Sequence, residues 1–378
     1  MKTVGIFRNQ LFKGSEIFIQ QQAEALQCFK KCYIGRRIIG RKPDGADTAV
    51  LNENGDFQGK IAEMFNAITT SAHPYHYILR EQPLDLIHAH FAIDGLYALK
   101  LAQNKNIPIV TTLHGFDVTV SNKELLSSRS PAWINYLIHQ KKVKNDSNKF
   151  ICVSNFIAQQ ALSHGFPESK IIQHYIGIDV ENYQPRNQED NQGIILHVAR
   201  LVEKKGTNVL INAIKHVKVK NSDVKLVIIG DGPLREVLKA QVAMLGLENN
   251  VTFVGALPHS DVMTWMRQAS MLVLPSVTAK TGDAEGLGMV LLEAAVTGVP
   301  VIGTQHGGIP EAIIDERTGF LVEERNDNQL AERISYLLNN QLKSSEMGIA
   351  ARSFVSKKFN LIEQTIKLEK IYQDVIHG

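Results

Sequence analysis

The sequence predicts an α/β protein of two doubly wound domains in tandem, and three observations carry that prediction. Short, continuously apolar segments alternate with helix-like segments along most of the chain, as in parallel sheets covered by helices on both faces. The length of 378 residues exceeds what one hydrophobic core commonly serves. A polar stretch, "ENYQPRNQEDNQ" at 181–192, interrupts the alternation with one Pro, several amides and no aliphatic residue, and reads as an interdomain linker. The predicted domains are therefore residues 1–185 and 186–360, followed by a last helix.

Taken in order, "TVGIF" (3–7) reads as a strand that precedes a helix opened by Ser15 and Glu16. "DLIHAHF" (85–91) precedes a helix opened by Asp94, and "IPIVTTL" (107–113) follows it. "KFICV" (149–153) leads to Ser154, placed as an N-cap, and Gly165 closes that helix. Beyond the polar stretch come "GIILHVA" (193–199), a helix from about Thr207, "VKLVIIG" (224–230) and a helix with Pro233 at its first position. "VTFVG" (251–255), a helix near 259–269 and "MLVLP" (271–275) follow. Next stand a helix from Met289 to Val296, stopped by Thr297-Gly298-Val299-Pro300, and then "PVIGT" (300–304) and "GFLV" (319–322). Two or three helices finish the chain.

Composition narrows the function. A hydrophobic fraction of 44% with 21% charged residues describes a soluble globular protein, and a net charge of +3 gives no reason to expect nucleic-acid binding. The charge is unevenly spread: "KKCYIGRRIIGRK", Lys30 to Lys42, holds six basic residues and no acidic one. It reads either as a solvated basic face or as a patch resting on anionic lipid headgroups. Cys28, Cys32 and Cys152 have neither zinc nor redox spacing and read as reduced thiols of a cytosolic protein. The N-terminus lacks a long apolar signal region and no run of about 18 apolar residues occurs, so a cytoplasmic protein is expected.

In open parallel sheets, ligands bind beyond the carboxyl ends of strands. That rule singles out loops 8–15, 114–119, 200–206 and 276–288, each with glycine beside polar or charged residues. Arg200 and Lys205 follow a strand and precede a helix, an arrangement suited to phosphate or to plain solvation. In "EGLGMVLLE", Glu293 is the one charge in an otherwise apolar helix. It is either a structural carboxylate bonded to backbone groups or a chelator of a vicinal diol. Glu285 stands just before that helix, where it could accept from sugar hydroxyls, and Gly286 and Gly288 clear room for a ligand. His114 lies at a strand end beside Gly115 and Asp117. His88 and His90 share one strand face, but no carboxylate or cysteine has ligand spacing beside them, so no metal is expected. The G-x-G-x-x-G dinucleotide fingerprint is missing at Gly14-Ser15, and no G-x-S-x-G is present.

These motifs resemble the GT-B glycosyltransferases of family 4, the retaining group that includes many bacterial polysaccharide and glycolipid enzymes. The resemblance covers nearly the whole chain. It is carried by the E-x7-E pattern at Glu285 and Glu293, "GVPVIGTQHGGIPEAI" and "TGFLV", with "HGFD", "VSNF" and "VARLVEKKG" in the family's order. "SEIFI" and "TGDAEG" are similar to its exopolysaccharide and lipopolysaccharide branches.

The resemblance implies two Rossmann-like domains facing a central cleft, with the helix at 361–378 packed back on the first. It implies a nucleotide-sugar donor, UDP- or GDP-linked, and a glycan or lipid-linked acceptor, with no cofactor and no metal. Arg200 and Lys205 would hold the diphosphate and Glu293 the ribose. Glu285 would hold the sugar with the backbone of Gly286, Leu287 and Gly288. His114 would contact the sugar near the reacting centre, and Gly14 would let donor phosphate and acceptor approach. A same-face, internal-return reaction is implied, since no carboxylate is placed for double displacement. A nucleotide-sugar epimerase, a phosphorylase or an inactive scaffold subunit are the alternatives. Peripheral contact with the inner face of the plasma membrane is expected through Lys30 to Lys42.

Overall fold

The computed structural model describes residues 1–80, 82–187 and 191–378; the centre of the predicted linker, 188–190, lies outside the described residues. The chain divides into two compact units, Met1–Gly177 with Leu361–Gly378, and Ile178–Asn360. The division falls at Gly177, ahead of the polar stretch, rather than at 185.

The strands of the first unit are β1 (Lys2–Phe7), β2 (Gln10–Leu11), β3 (Phe29–Ile38), β4 (Thr48–Asn52), β5 (Leu86–His90), β6 (Ile109–Leu113), β7 (Lys149–Cys152) and β8 (Ile171–Gln173). They form one sheet in the order β2-β3-β1-β5-β6-β7-β8, with β4 against β3, and the pairings are parallel. Its helices are α1 (Ile17–Glu24), α2 (Phe57–Thr69), α3 (His73–Ile78), α4 (Ala92–Lys105), α5 (Phe116–Thr119), α6 (Asn122–Ser127), α7 (Pro131–Asp146) and α8 (Asn155–Ser163). Ser154 caps α8 by accepting from the Ile157 N–H at 3.1 Å. The order of connection reverses between β1 and β5, so the loops after these two strands flank a topological switch point.

Three local expectations change, one of them in the second unit, where the helix read with Pro233 at its first position begins at Arg235. Ser15 and Glu16 lie in a 3₁₀ turn (Gly14–Glu16) that leads into α1 rather than opening it. Asp94 does not open α4; the helix begins at Ala92 behind Phe91, whose φ is 73°, and the Asp94 carboxylate leaves the first turn to bind β1's loop.

The basic stretch Lys30 to Lys42 is not a patch. Most of it is β3, an interior strand whose side chains alternate between the two faces. Arg36 is buried, donates to Asn66 Oδ1 at 2.7 Å and lies over the Tyr97 ring. Lys31, Arg37, Arg41 and Lys42 pair with Glu24, Glu63, Asp44 and Glu53. Lys30, Arg37 and Arg41 are still exposed, the last two beside carboxylates.

The second unit contains β9 (Ile194–Val198), β10 (Lys225–Ile229), β11 (Val251–Gly255), β12 (Ala269–Leu274), β13 (Val301–Thr304) and β14 (Gly319–Val322). All pair parallel in the order β11-β10-β9-β12-β13-β14. Counted within the unit this is the 3-2-1-4-5-6 order of dinucleotide-binding sheets, with its switch point between β9 and β12. The helices are α9 (Thr207–Lys220), α10 (Arg235–Met244), α11 (His259–Gln268), α12 (Met289–Val296), α13 (Ile309–Ala312), α14 (Asp327–Asn339) and α15 (Gln341–Lys358). Buried His197 ties three of these elements: its Nδ1 bonds the Val273 carbonyl (2.8 Å) and its Nε2 the Thr207 hydroxyl (2.9 Å). Burial pushes the imidazole down to about 4, so it is neutral and structural.

The last helix, α16 (Leu361–His377), belongs to the first unit. Leu368 and Tyr372 enter the core made by Val4, Ile6, Leu86, Val110 and Ile151. Buried Glu369 accepts the Gln27 and Cys28 N–H groups at 2.7 and 2.6 Å, satisfying donors of the turn between α1 and β3. Tyr372 is fully buried, packs edge-on against Phe29 and bonds His88 Nδ1 at 2.6 Å. Tyr372→Ala is expected to destabilise the first unit by about 3–5 kcal/mol. Chemical denaturation followed by tryptophan fluorescence checks this, since both tryptophans report on separate units, Trp133 on the first and Trp265 on the second.

Candidate functional site

In the second unit the chemistry gathers at the switch point. The loop after β9 carries Arg200, Lys204 and Lys205, and the loop after β12 carries Ser276, Asp283 and Glu285. Gly206 joins the two: its φ is 63°, and a Cβ there would run into the Pro275 carbonyl. With that close approach fixed, Lys205 Nζ lies 2.6 Å from Glu285 Oε2, and Ser276 Oγ donates to the same oxygen at 3.3 Å. Lys204 pairs with Asp283 at 3.0 Å beside them.

Glu285 is also held by its backbone. Its N–H donates to His306 Nε2 at 3.2 Å, which leaves the His306 proton on Nδ1, where it is given to Glu324 at 2.8 Å. Its carbonyl accepts from the Gly308 N–H at 3.0 Å, and a Cβ at Gly307, whose φ is 57°, would collide with that carbonyl. Burial alone would raise the Glu285 carboxyl, but the Lys205 and Lys204 ammonium groups outweigh it and hold it at about 2. The carboxylate is therefore ionised, fixed and still rich in acceptor capacity.

Gly286, Leu287 and Gly288 connect Glu285 to α12, whose first turn has neither a side-chain cap nor an acidic residue. The orphan N–H groups there favour an anion. Glu293 lies within α12, half-buried, and its Oε1 meets His259 Nε2 at 3.2 Å. That contact raises the His259 pKa against the opposing effect of burial. Arg200 is exposed near the start of the loop after β9. Sequence reasoning separated Lys205, for phosphate, from Glu285, for sugar; the structure joins them as one ion pair.

In the first unit, His114 follows β6 and packs against Phe18 and Phe91. Its Nε2 is 3.1 Å from His90 Nδ1, and His88, two residues before His90 on the same strand face, bonds Tyr372 and Thr112. Burial, the neighbouring imidazoles and Arg8 push both His90 and His114 well below the ordinary value, so the pair is neutral near pH 7. The Asp117 carboxylate, buried beneath them, accepts the N–H groups of Ala92, His114 and Gly115 and so fixes the turn after β6. Across the switch point Arg8 pairs with Asp94 at 2.6 Å and Glu16 at 2.8 Å, while Asn9 binds Asp94 through both its backbone and its amide. Gly14 faces open space, and a Cβ there would touch nothing.

Comparison with known proteins decides what these loops belong to. The family described as "Glycosyl transferases group 1" matches residues 179–354, and "Glycosyltransferase Family 4" matches 60–182. WcaL of Escherichia coli K12, a glycosyltransferase ascribed to colanic acid biosynthesis, is 32% identical over 292 residues, covering 75% of this chain and 69% of its own. The chain belongs to glycosyltransferase family 4. A second relative in this family, the amylovoran biosynthesis glycosyltransferase AmsK of Erwinia amylovora, is 31% identical over 280 residues, covering 73% of this chain and 67% of its own. Among solved structures, Anabaena HepE in complex with UDP and glucose has a TM-score of 0.75 at 19% identity, covering 99% of this chain and all of that one. At that identity the likeness is one of fold, and the fold is GT-B.

Several groups of this glycosyltransferase that stand around the expected site residues escaped sequence reasoning. His306 carries the signal that singled out His114, a histidine just after a strand and before glycine, yet it lies inside a motif read only as a whole. His259 gives no such signal, because its importance comes from Glu293 on another element. Arg8 looks like an ordinary loop cation until Asp94 and Glu16 are brought to it.

Replacing Lys205 tests the ion pair. Lys205→Ala leaves the Glu285 carboxylate buried without its nearest cation, at an expected cost of about 3 kcal/mol in the second unit. The sign with pH follows from a folded value of about 2 below an unpaired value of 4.5. The stabilisation from Glu285 is complete above the unfolded value and is lost as pH falls through the folded one. Thermal denaturation between pH 5 and 2, by order of magnitude in that window, is expected to show a loss in the wild type that is reduced in Lys205→Ala.

Proposed function

We propose that the protein is a retaining hexosyltransferase that takes its sugar from a UDP- or GDP-linked donor. The observation that carries the reading is the Lys205–Glu285 pair at the switch point, directly before an uncapped helix N-terminus, with Glu293 further along the same helix. In this reading Arg200, Lys205 and the N–H groups of α12 take the charge that develops on the departing diphosphate. Glu293 exchanges His259 for the ribose hydroxyls. Glu285, ionised and oriented by Lys205, Ser276 and the Gly308 N–H, accepts from hydroxyls of the donor sugar. Gly286, Leu287 and Gly288 offer backbone to the same sugar. His114, neutral and oriented by His90, contacts the sugar near the anomeric carbon, and open Gly14 leaves room for the acceptor.

Retention follows in this reading from internal return. The bond between the anomeric carbon and the diphosphate oxygen breaks, the acceptor hydroxyl bonds the same face, and its proton passes to the departing phosphate oxygen. Charge on the leaving group is met by side-chain and backbone donors, so no metal is required. The acceptor is read as a glycan or lipid-linked glycan of a bacterial surface polysaccharide, in keeping with the biosynthetic roles of WcaL and AmsK. A nucleotide sugar used in that role points to a cytoplasmic location.

A thermal-shift panel of UDP, GDP, ADP and their sugars tests the donor reading. One nucleotide at about 100 times its Kd is expected to stabilise the wild type by about 2.7 kcal/mol. Glu293→Ala and Lys205→Ala are each expected to lose most of that shift, and a wild type that answers to no nucleotide would sink the reading. The role given to His90 has its own check. His90→Gln is expected to lower kcat about tenfold or more with little change in KM, and to alter the pH profile, because it frees the protonation state of His114.

A further inference from the structure

The loop after β14, residues 323–326, has no part in the donor reading, yet it grips the Glu285 loop near both of its ends. At the far end two consecutive side chains bracket the main chain of Thr278. Its N–H donates to Glu324 Oε2 at 2.7 Å and its hydroxyl to Oε1 at 3.2 Å, while the Arg325 guanidinium donates to its carbonyl at 2.6 Å. At the near end Glu324 Oε1 accepts the His306 Nδ1 proton at 2.8 Å, and His306 Nε2 accepts the Glu285 N–H at 3.2 Å. Between these ends the loop closes on itself. The Ala279 N–H bonds the Asp283 carbonyl at 3.0 Å, and the Gly282 N–H bonds the Ala279 carbonyl at 2.8 Å. One carboxylate therefore fixes both where the segment from Thr278 to Glu285 begins and where it ends.

The fold does not ask for Glu324. β14 is held by Phe320 and Val322 in the core, and α14 is capped by Asn326, which accepts the Gln329 N–H at 2.9 Å. The Glu324 side chain is 29% exposed, and among the described residues its bonds run to Thr278 and His306. Burial would raise its carboxyl, but the Thr278 N–H and His306 outweigh that and hold it below the usual range. A charged residue that is spare in the fold and bonded to a functional loop has its use in that loop.

The surroundings of Glu285 show what the use is. Lys205 and Ser276 both hold its carboxylate at Oε2. A carboxylate held at one oxygen can still turn about that contact, so the direction of Oε1 follows from where the main chain stands. That main chain is fixed by the Gly308 N–H at the Glu285 carbonyl and by His306 at the Glu285 N–H. The second bond needs a lone pair on Nε2, hence a neutral ring with its proton on Nδ1. Glu324, ionised and able only to accept, selects that tautomer.

We propose that Glu324 is a positioning residue for sugar recognition. By fixing the His306 tautomer and the Thr278 end of the loop, it aims the Glu285 carboxylate before the donor arrives. This rests on the reading of Glu285 as the group that accepts from the donor sugar, and deepens it. The sugar is thereby separated from the nucleotide. In the same reading the diphosphate and ribose go to Lys205 and Glu293, whose own partners are Glu285 and His259 rather than Glu324.

Glu324→Gln tests this. An amide offers one accepting oxygen in place of two, so either the Thr278 N–H or the His306 Nδ1–H meets an NH₂ group. Isothermal titration calorimetry is to be run on the full chain, wild type and variant, with UDP-glucose against UDP and GDP-mannose against GDP. The variant is expected to lose about tenfold in affinity for the nucleotide sugar that the wild type binds. Its affinity for the matching nucleotide and its melting temperature are expected to stay as in the wild type. His306→Leu is expected to show the same selective loss, and the double variant little more than the larger single loss, because the two side chains act in series. Equal affinity of wild type and Glu324→Gln for the nucleotide sugar overturns the proposal. So does an equal loss for sugar and nucleotide, the mark of a merely structural role. A wild type that binds none of the four fails the donor reading itself, and the proposal with it.

Discussion

Much of the second unit's site depends on one buried carboxylate being kept ionised. Glu285 sits where burial favours the neutral acid, and two lysines from the loop after the neighbouring strand reverse that preference. Those lysines reach it because Gly206 lets the β9 loop come against the end of β12. The same carboxylate's backbone is tied to His306 and Gly308, so the loop after β13 is recruited as well. Three loops at the carboxyl edge of one sheet are thus fastened to a single residue. An ionised oxygen that is already aimed costs no reorganisation when a hydroxyl arrives.

The first unit solves a related problem with other groups. Its switch point holds the cation Arg8 between Asp94 and Glu16, and the pair of carboxylates outweighs burial to keep the guanidinium charged. The imidazoles next to it remain neutral, partly because Arg8 is near. A neutral His90–His114 pair can share one proton between facing nitrogens, which leaves each ring in a defined tautomer. Fixed charge and neutral imidazole are therefore placed side by side by one cation.

The fold was legible where strands are buried on both faces. "PVIGT" and "GFLV" match β13 and β14, and the E-x7-E pattern with "VARLVEKKG" singled out Lys205 and Glu285, which the structure brings together as an ion pair. β3 was not legible, because a strand that sends Arg36 inward and Lys31 and Arg37 to acidic partners looks in one dimension like a run of charge. α2 escaped for the opposite reason: its period is helical, but the face it buries is the small and polar one. Contacts between distant residues were out of reach altogether. Nothing near His259 announces Glu293, and nothing near Asp94 announces Arg8, since each pairing exists only once the strands are ordered.

The placement of α16 has a consequence for how the protein is made. Leu368 and Tyr372 complete the core of the first unit, yet they are synthesised after the whole of the second unit. A domain emerging from the ribosome ordinarily folds as soon as its own sequence is out. Here the first unit emerges with a gap in its core and the Gln27 and Cys28 amides unanswered, and it waits while the whole of the second unit is translated. Only then can it close. The core of the first unit is completed only after the second unit has been made, and a chain cut short between Gly177 and Tyr372 leaves that core open.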